Sequence, residues 1–144
     1  MTESFDPSAW ETALIDDLRA HGGKPSQGPL AGQPLMLMYS TGAKTGERRR
    51  SILTYSRDGG DYIVAGTKSG AKEDPKWVAN LEKNPTVEVE AANETFQATA
   101  EVYREGAERD RLWNQHVEAF PNFGEYPAQI GGARVIPVIR LRRA

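Results

Sequence analysis

The chain has 144 residues, no cysteine, two histidines, 38% hydrophobic content and a net charge of −2. That length fits one compact domain, while the missing cysteines exclude disulfides, thiolate nucleophiles and cysteine-bound clusters, and two distant histidines give no transition-metal pattern. The near-neutral charge gives no global field for nucleic acid, and no run approaches a membrane span, so the expectation is a soluble cytoplasmic protein acting on a small molecule.

A first helix is predicted from Ser8 to Gly22-Gly23, with the Ser8 hydroxyl as cap and Glu11 completing a capping box. Trp10, Leu14 and Leu18 recur at four-residue intervals and form a face packed on the rest of the domain. Residues 24–33 read as a Gly/Pro/Ser-rich connector. Three strands follow as a meander: Pro34 to Tyr39, Ser51 to Ser56, and Tyr62 to Ala65 after the Asp58-Gly59-Gly60 turn.

That meander brings two loops to the same end of the sheet, Ser40 to Arg50 and Gly66 to Lys72. From Lys44 to Lys72 there are seven Lys or Arg against three Asp or Glu, so the basic charge is regional. Glycines that turn backbone N–H groups inward, with hydroxyl and cationic side chains beside them, suit an anionic, phosphorylated ligand. Taken alone, Lys44 and Arg48 to Arg50 read as a solvated hairpin tip; the second basic loop shifts the reading to a ligand rim.

A second helix is signalled by Asp74-Pro75, a cap followed by proline at the first helical position, and by Asn84-Pro85 at its end, with Trp77, Val78 and Leu81 facing inward. From spacing, Trp77 is as much a core anchor as a flat partner for a planar ring. Thr86 to Ala91 and Phe96 to Val102 alternate across an Ala92-Asn93-Glu94 turn, which predicts an antiparallel hairpin with one wet face. A third helix spans about Gly106 to Phe120, makes His116 a packed core-edge residue, and stops at Pro121. The last strand, Arg134 to Arg142, contains Pro137, which places it at an edge or a bulge. The elements together define an α+β, mainly β, antiparallel barrel or sandwich with flanking helices.

Conventional nucleotide motifs fail. Gly66-Thr67-Lys68-Ser69 lacks the glycine before lysine, the glycine five residues earlier and the helix straight after that a P-loop needs, and Gly42 and Gly46 lie in a strand-loop-strand context foreign to a dinucleotide fold.

Leu35 to Thr41, Gly42-Ala43-Lys44-Thr45-Gly46, Arg49, Thr67-Lys68-Ser69-Gly70-Ala71, Pro75-Lys76-Trp77 and Asn80-Leu81 through Asn84-Pro85 resemble the deazaflavin-dependent nitroreductase family, from about Gln33 to Arg142. The resemblance implies a split β-barrel over residues 33–144 behind an N-terminal helix and connector, 1–32. It implies coenzyme F420, a deazaflavin with a phosphodiester and an acidic oligoglutamate tail, as cofactor, and makes FMN the less favoured one. It implies that Lys44, Thr45, Gly46 and Arg49 hold the phosphate and tail, and that Ile52 and Leu53 border the ring. Thr67, Lys68, Ser69, Gly70 and Ala71 complete the cradle, and Lys76, Trp77 and Asn80 close it. The acceptor pocket falls to Thr54, Phe120, Phe123 and Tyr126, with water or Tyr126 as the candidate source of the proton.

Three positions depart from the family's habit. Thr54 stands where an aromatic residue is common, Thr67 where serine is common, and Phe123 lacks a hydroxyl in a stretch that often carries more tyrosines. The implied reaction is hydride transfer from the reduced deazaflavin to an electron-poor enone, lactone, quinone or nitro compound, which needs no protein nucleophile. The rivals are an FMN- or pyridoxal-type split-barrel oxidase and a noncatalytic carrier of the deazaflavin or of an apolar ligand.

Overall fold

The structure is a computed structural model, and it describes residues 7–26 and 31–144. The side chains of residues 7–10 and of Ser69 lie outside that description, and so do the predicted Ser8 cap, the Trp10 part of the apolar stripe and residues 27–30 of the connector.

Helix α1 (Pro7–Ala20) precedes strands β1 (Leu35–Thr41), β2 (Arg48–Thr54), β3 (Ser56–Asp58) and β4 (Asp61–Ala65). A 3₁₀ turn (Lys68–Gly70) and helix α2 (Lys76–Lys83) lead to β5 (Thr86–Ala91) and β6 (Glu94–Tyr103). Helix α3 (Ala107–Ala119), a second 3₁₀ turn (Pro121–Glu125), α4 (Tyr126–Ile130) and β7 (Val138–Arg143) complete the chain.

The sheet is antiparallel throughout, in the order β2-β1-β5-β6-β7-β4-β3. Its two end strands, β2 and β3, are separated only by Tyr55, so one bent strand pairs first with β1 and then with β4 and curls the sheet into a barrel. Above the bend the two ladders part. There β2 pairs with β1 alone, and its other edge carries no ladder among the described residues. β1 and β4 run in the same direction through the chain of antiparallel pairings, so the loops that follow them emerge at one end, as the meander requires.

Alternation decides which side chains fill the barrel. Met36 and Met38 from β1, Val87 and Val89 from β5, Phe96 from β6 and Ile139 from β7 form its core, and Leu81 of α2 plugs one end. The outer face of β1 presents Leu35 and Leu37 to Ile15 and Leu18 of α1. On the opposite side Ile63 and Val138 turn outward to Leu112 and Trp113 of α3 and to Phe123 and Ile130 beyond it. Burying such side chains contributes about 1.5 to 3 kcal/mol each.

Five sequence expectations change in detail. Arg48, Arg49 and Arg50 are not a loop tip but the first residues of β2, paired with Thr41, Ser40 and Tyr39. The hairpin turn is two residues, Ala92 and Asn93, both at positive φ (49° and 63°), and Glu94 already pairs with Ala91; this geometry matches the twist of the strands it joins. Asp74 makes no side-chain cap on α2, whose N-cap is Pro75; its carboxylate takes ion pairs from Arg104 (2.8 Å) and Arg134 (3.0 Å) instead. Strand β7 lies between β6 and β4, not at an edge, because Pro137 falls just before it, where no ladder N–H is required. His116 is fully buried, not at the core's edge.

Candidate functional site

The first loop is closed by its own backbone. Gly42 N–H donates to the Glu47 carbonyl (2.7 Å) and Gly46 N–H to the Gly42 carbonyl (2.9 Å). Gly46 sits at φ 72°, and a Cβ on Gly42 would lie 2.9 Å from Thr45 Oγ1, so both positions of this tight turn require glycine. The turn throws Lys44 and Thr45 outward, exposed.

Helix α2 grips this loop at one peptide. Ala43 N–H donates to Asn80 Oδ1 (2.8 Å), and Lys83 Nζ donates to the Ala43 carbonyl (2.8 Å). Asn80 is 8% exposed, a buried amide whose oxygen fixes the loop against the helix.

Strand β2 sorts its three arginines by alternation. Arg48 lies over the Tyr39 ring (4.1 Å) and pairs with Glu88 (3.1 Å), and Arg50 pairs with Glu11 (3.2 Å) on the α1 side. Arg49 points the other way, with only the exposed Glu47 (3.1 Å) as ionic partner among the described residues. Beside it a cavity of about 500 Å³ opens, lined by Gly42, Ala43, Lys44, Thr45, Arg49, Ser51, Lys76, Trp77, Ala79 and Asn80. Lys44 and Lys76 have no ion-pair partner among the described residues. Trp77 is half-buried, its indole packed on the barrel core as the anchor reading requires, and it also borders the cavity.

The second loop is shaped differently. Arg134, about nine-tenths buried, donates to the carbonyls of Gly66 (2.9 Å), Thr67 (2.9 Å) and Ala71 (3.1 Å) and to Asp74 (3.0 Å). Lys68 pairs with Glu73 (3.0 Å), an exposed contact.

The structure therefore brings Lys44, Thr45, Arg49, Lys76, Trp77 and Asn80 around one cavity. Gly46 shapes the same loop but faces a separate groove with Arg48 and Glu88. Ile52 and Leu53 lie on opposite faces of β2: Ile52 packs with the α1 cluster and Leu53 with the barrel core, below Ser51 and Arg49. Thr67, Lys68, Gly70 and Ala71, with the backbone of Ser69, stand outside the cavity lining, in the loop that precedes α2. Thr54 ends β2, where its hydroxyl bonds Gln33 Oε1 (3.3 Å).

Phe120, Phe123 and Tyr126 belong to the aromatic cluster under α3. Phe123 stacks edge-on to His116 (4.6 Å) and to Tyr126 (5.5 Å). Tyr126 is half-buried, and its helix α4 touches the 3₁₀ turn of the second loop. His116 Nδ1 shares a 2.7 Å hydrogen bond with Ser56 Oγ while Nε2 has no partner among the described residues, and burial pushes its pKa down to about 4.

Sequence reasoning missed Ser51, Ala79, Lys83 and Arg134. The first two follow from alternation and helical spacing once Arg49 and Asn80 are placed; the other two depend on contacts across 40 and more than 60 positions, for which a sequence carries no local signal. Among the described residues no group of acids and histidines is arranged to hold a metal ion, and no helix is long and apolar enough to cross a membrane.

A curled antiparallel barrel with flanking helices and a cationic cavity at the mouth defines a split-barrel protein. Residues 13–142 match the F420H(2)-dependent quinone reductase family, and the chain belongs to it. It is 37% identical over 112 residues to an F420H(2)-dependent quinone reductase of Mycobacterium tuberculosis, covering 76% of this chain and 74% of that one. The solved structure of an F420-H2 dependent reductase, FDR-A, superposes with a TM-score of 0.67 at 34% identity over 76% of this chain and 94% of that chain. Another, described as a domain-swapped dimer, gives 0.69 at 30% identity over 95% and 100%. The chain is thus an oxidoreductase of the F420-dependent, split-barrel kind, and coenzyme F420 is its cofactor.

The residues present fit that cofactor. Three cations around an apolar-walled cavity complement an acidic tail and a phosphodiester, and Trp77 offers an aromatic wall to a ring.

Proposed function

We propose that this protein reduces quinones, and related electron-poor enones and nitro compounds, at the expense of F420H2. The observation that carries the reading is the union in one cavity of Lys44, Arg49 and Lys76 with the half-buried Trp77. When bound, the reduced deazaflavin supplies a hydride. Lys44 and Arg49 bind the phosphodiester and acidic tail by charge-assisted hydrogen bonds; Thr45 and Gly46 shape the turn that presents them. Lys76 adds charge from α2, and Trp77 flanks the ring and keeps water from it. Leu53 and the open edge of β2 border the ring from below, Ile52 contributes backbone only, and the second loop, Thr67 to Ala71, closes the far side.

Reduction of a quinone to its quinol requires that hydride and one proton. Tyr126 Oη is the proposed source of the proton, with Thr54, Phe120 and Phe123 shaping the acceptor's surroundings. The relatives named as quinone reductases support the acceptor class.

The test is fluorescence titration with F420 and FMN, followed by steady-state turnover of F420H2 with a benzoquinone, an enone and a nitroaromatic. The expected outcome is selective F420 binding and fastest turnover of the quinone. FMN binding that F420 cannot displace would overturn the cofactor's place in this cavity, and tight F420 binding without turnover of any acceptor would make the protein a carrier. Tyr126→Phe should lower turnover about 100-fold at unchanged F420 affinity; wild-type rates would assign the proton to solvent.

A further inference from the structure

We infer that Arg134 is the positioning residue of the second loop, the side chain that draws three of its carbonyls together and holds Gly66 to Ala71 in the shape that closes on the cofactor. Loops with few backbone bonds to a sheet need their polar groups satisfied by something else, and here three carbonyls converge on a single guanidinium. Only a planar fork with five donors can serve carbonyls at Gly66, Thr67 and Ala71 together with Asp74 Oδ1; an ammonium has three donors and no plane.

The tie does not end at the loop. Asp74 also accepts from Arg104 Nη1 (2.8 Å), and Arg104 forms a two-bond pair with Glu82 of α2 (both 2.8 Å). The sequence Arg134, Asp74, Arg104, Glu82 thus links the second loop to the helix whose Asn80 and Lys83 hold the first. α2 is bracketed between the loops, and Arg134 sets the distance of one of them. With their carbonyl oxygens occupied by Arg134, Gly66, Thr67 and Ala71 present less bare negative dipole to an anionic ligand approaching the loop.

This inference rests on the proposed contact between the second loop and F420, and the experiment separates the two. Amide hydrogen exchange of residues 66–71 is followed in wild type with and without F420; protection on binding establishes the contact, and no protection overturns it and the inference with it. With the contact established, Arg134→Lys should speed exchange of residues 66–71 in the free protein by tenfold or more, weaken F420 at least tenfold through faster dissociation, and leave exchange of residues 42–47 unchanged. Arg134→Ala should do the same and recover affinity in millimolar guanidinium chloride but not in ammonium chloride. Should Arg134→Lys keep wild-type affinity and exchange, or guanidinium fail to restore an Arg134→Ala protein that melts cooperatively, the positioning role is overturned.

Discussion

The two glycine- and lysine-bearing loops look alike in sequence and are held differently. The first folds on its own backbone, through Gly42, Gly46 and Glu47, and turns its charge outward, so that Lys44 and Arg49 face the cavity with little to compete for them. The second adds to its own turn bonds, Gly70 N–H to the Thr67 carbonyl and Ala71 N–H to the Lys68 carbonyl, the clasp of Arg134 from more than sixty positions away, and one of its two cations, Lys68, is engaged by Glu73. The difference teaches that charge count along a chain is a poor measure of charge available to a ligand. What matters is which cations the fold leaves without an internal partner.

The largest test of that contrast is the double variant Lys44→Ala with Arg49→Ala. Two half-exposed charge-assisted contacts at about 1.5 kcal/mol each predict an F420 affinity about 100-fold weaker, with a shallower salt dependence and an unchanged melting curve. Affinity within twofold of wild type would make this rim a solvated surface.

The aromatic cluster supplies the control, since His116 bonds Ser56 and stacks on Phe120 and Phe123 and is not among the residues lining the cavity. Its folded-state pKa lies below the unfolded value, so the unfolded chain takes up the proton first, and stability falls as pH drops from about 6.5 to about 4. The loss tends to about 3 kcal/mol at most, from 1.36 kcal/mol per pKa unit. Denaturant melts of wild type and His116→Phe should differ in slope across that window; parallel curves would remove His116 from acid sensitivity. Below it the carboxylates add their share, Asp58 among them, held near 2 by Arg111 and Arg140 and costing stability only as it protonates.

A smaller effect is expected at Asn80. Replacing it with leucine leaves the Ala43 N–H without its acceptor and frees the first loop, for a loss of about tenfold in F420 affinity. Asn80→Asp keeps the acceptor and should retain the loop's exchange protection, so equal loosening in both variants would show that the amide oxygen is not what holds Ala43.

Lys68→Ala closes the series. An exposed ion pair contributes about 0 to 1 kcal/mol, and the change in F420 affinity should stay below twofold. A loss as large as that of the Lys44 and Arg49 variants would erase the distinction between the loops.

Element order, the helical and strand periodicities and the common end of the two loops were legible because each rests on local pattern or on the parity of antiparallel pairing. Arg48 to Arg50 misled because a run of one charge reads as loop, while period-two alternation sends one arginine to the cavity and two elsewhere. Pro137 suggested an edge because its missing N–H is visible in sequence; that it falls one residue short of β7 is not. Asp74 resembled a cap until a distant pair of arginines claimed its carboxylate. Of the site, the residues within one turn or one helix were readable, and those tied across the fold were not.

The parting of the ladders at Tyr55 carries a cost of another kind. It leaves β2 with an open edge, and a strand with free N–H and C=O groups invites a second chain to extend the sheet. Arg48, Arg49 and Arg50 occupy the outer half of that strand. Two molecules meeting edge to edge would have to bring both arginine triplets together, so their mutual repulsion opposes polymerisation of the protein through that edge.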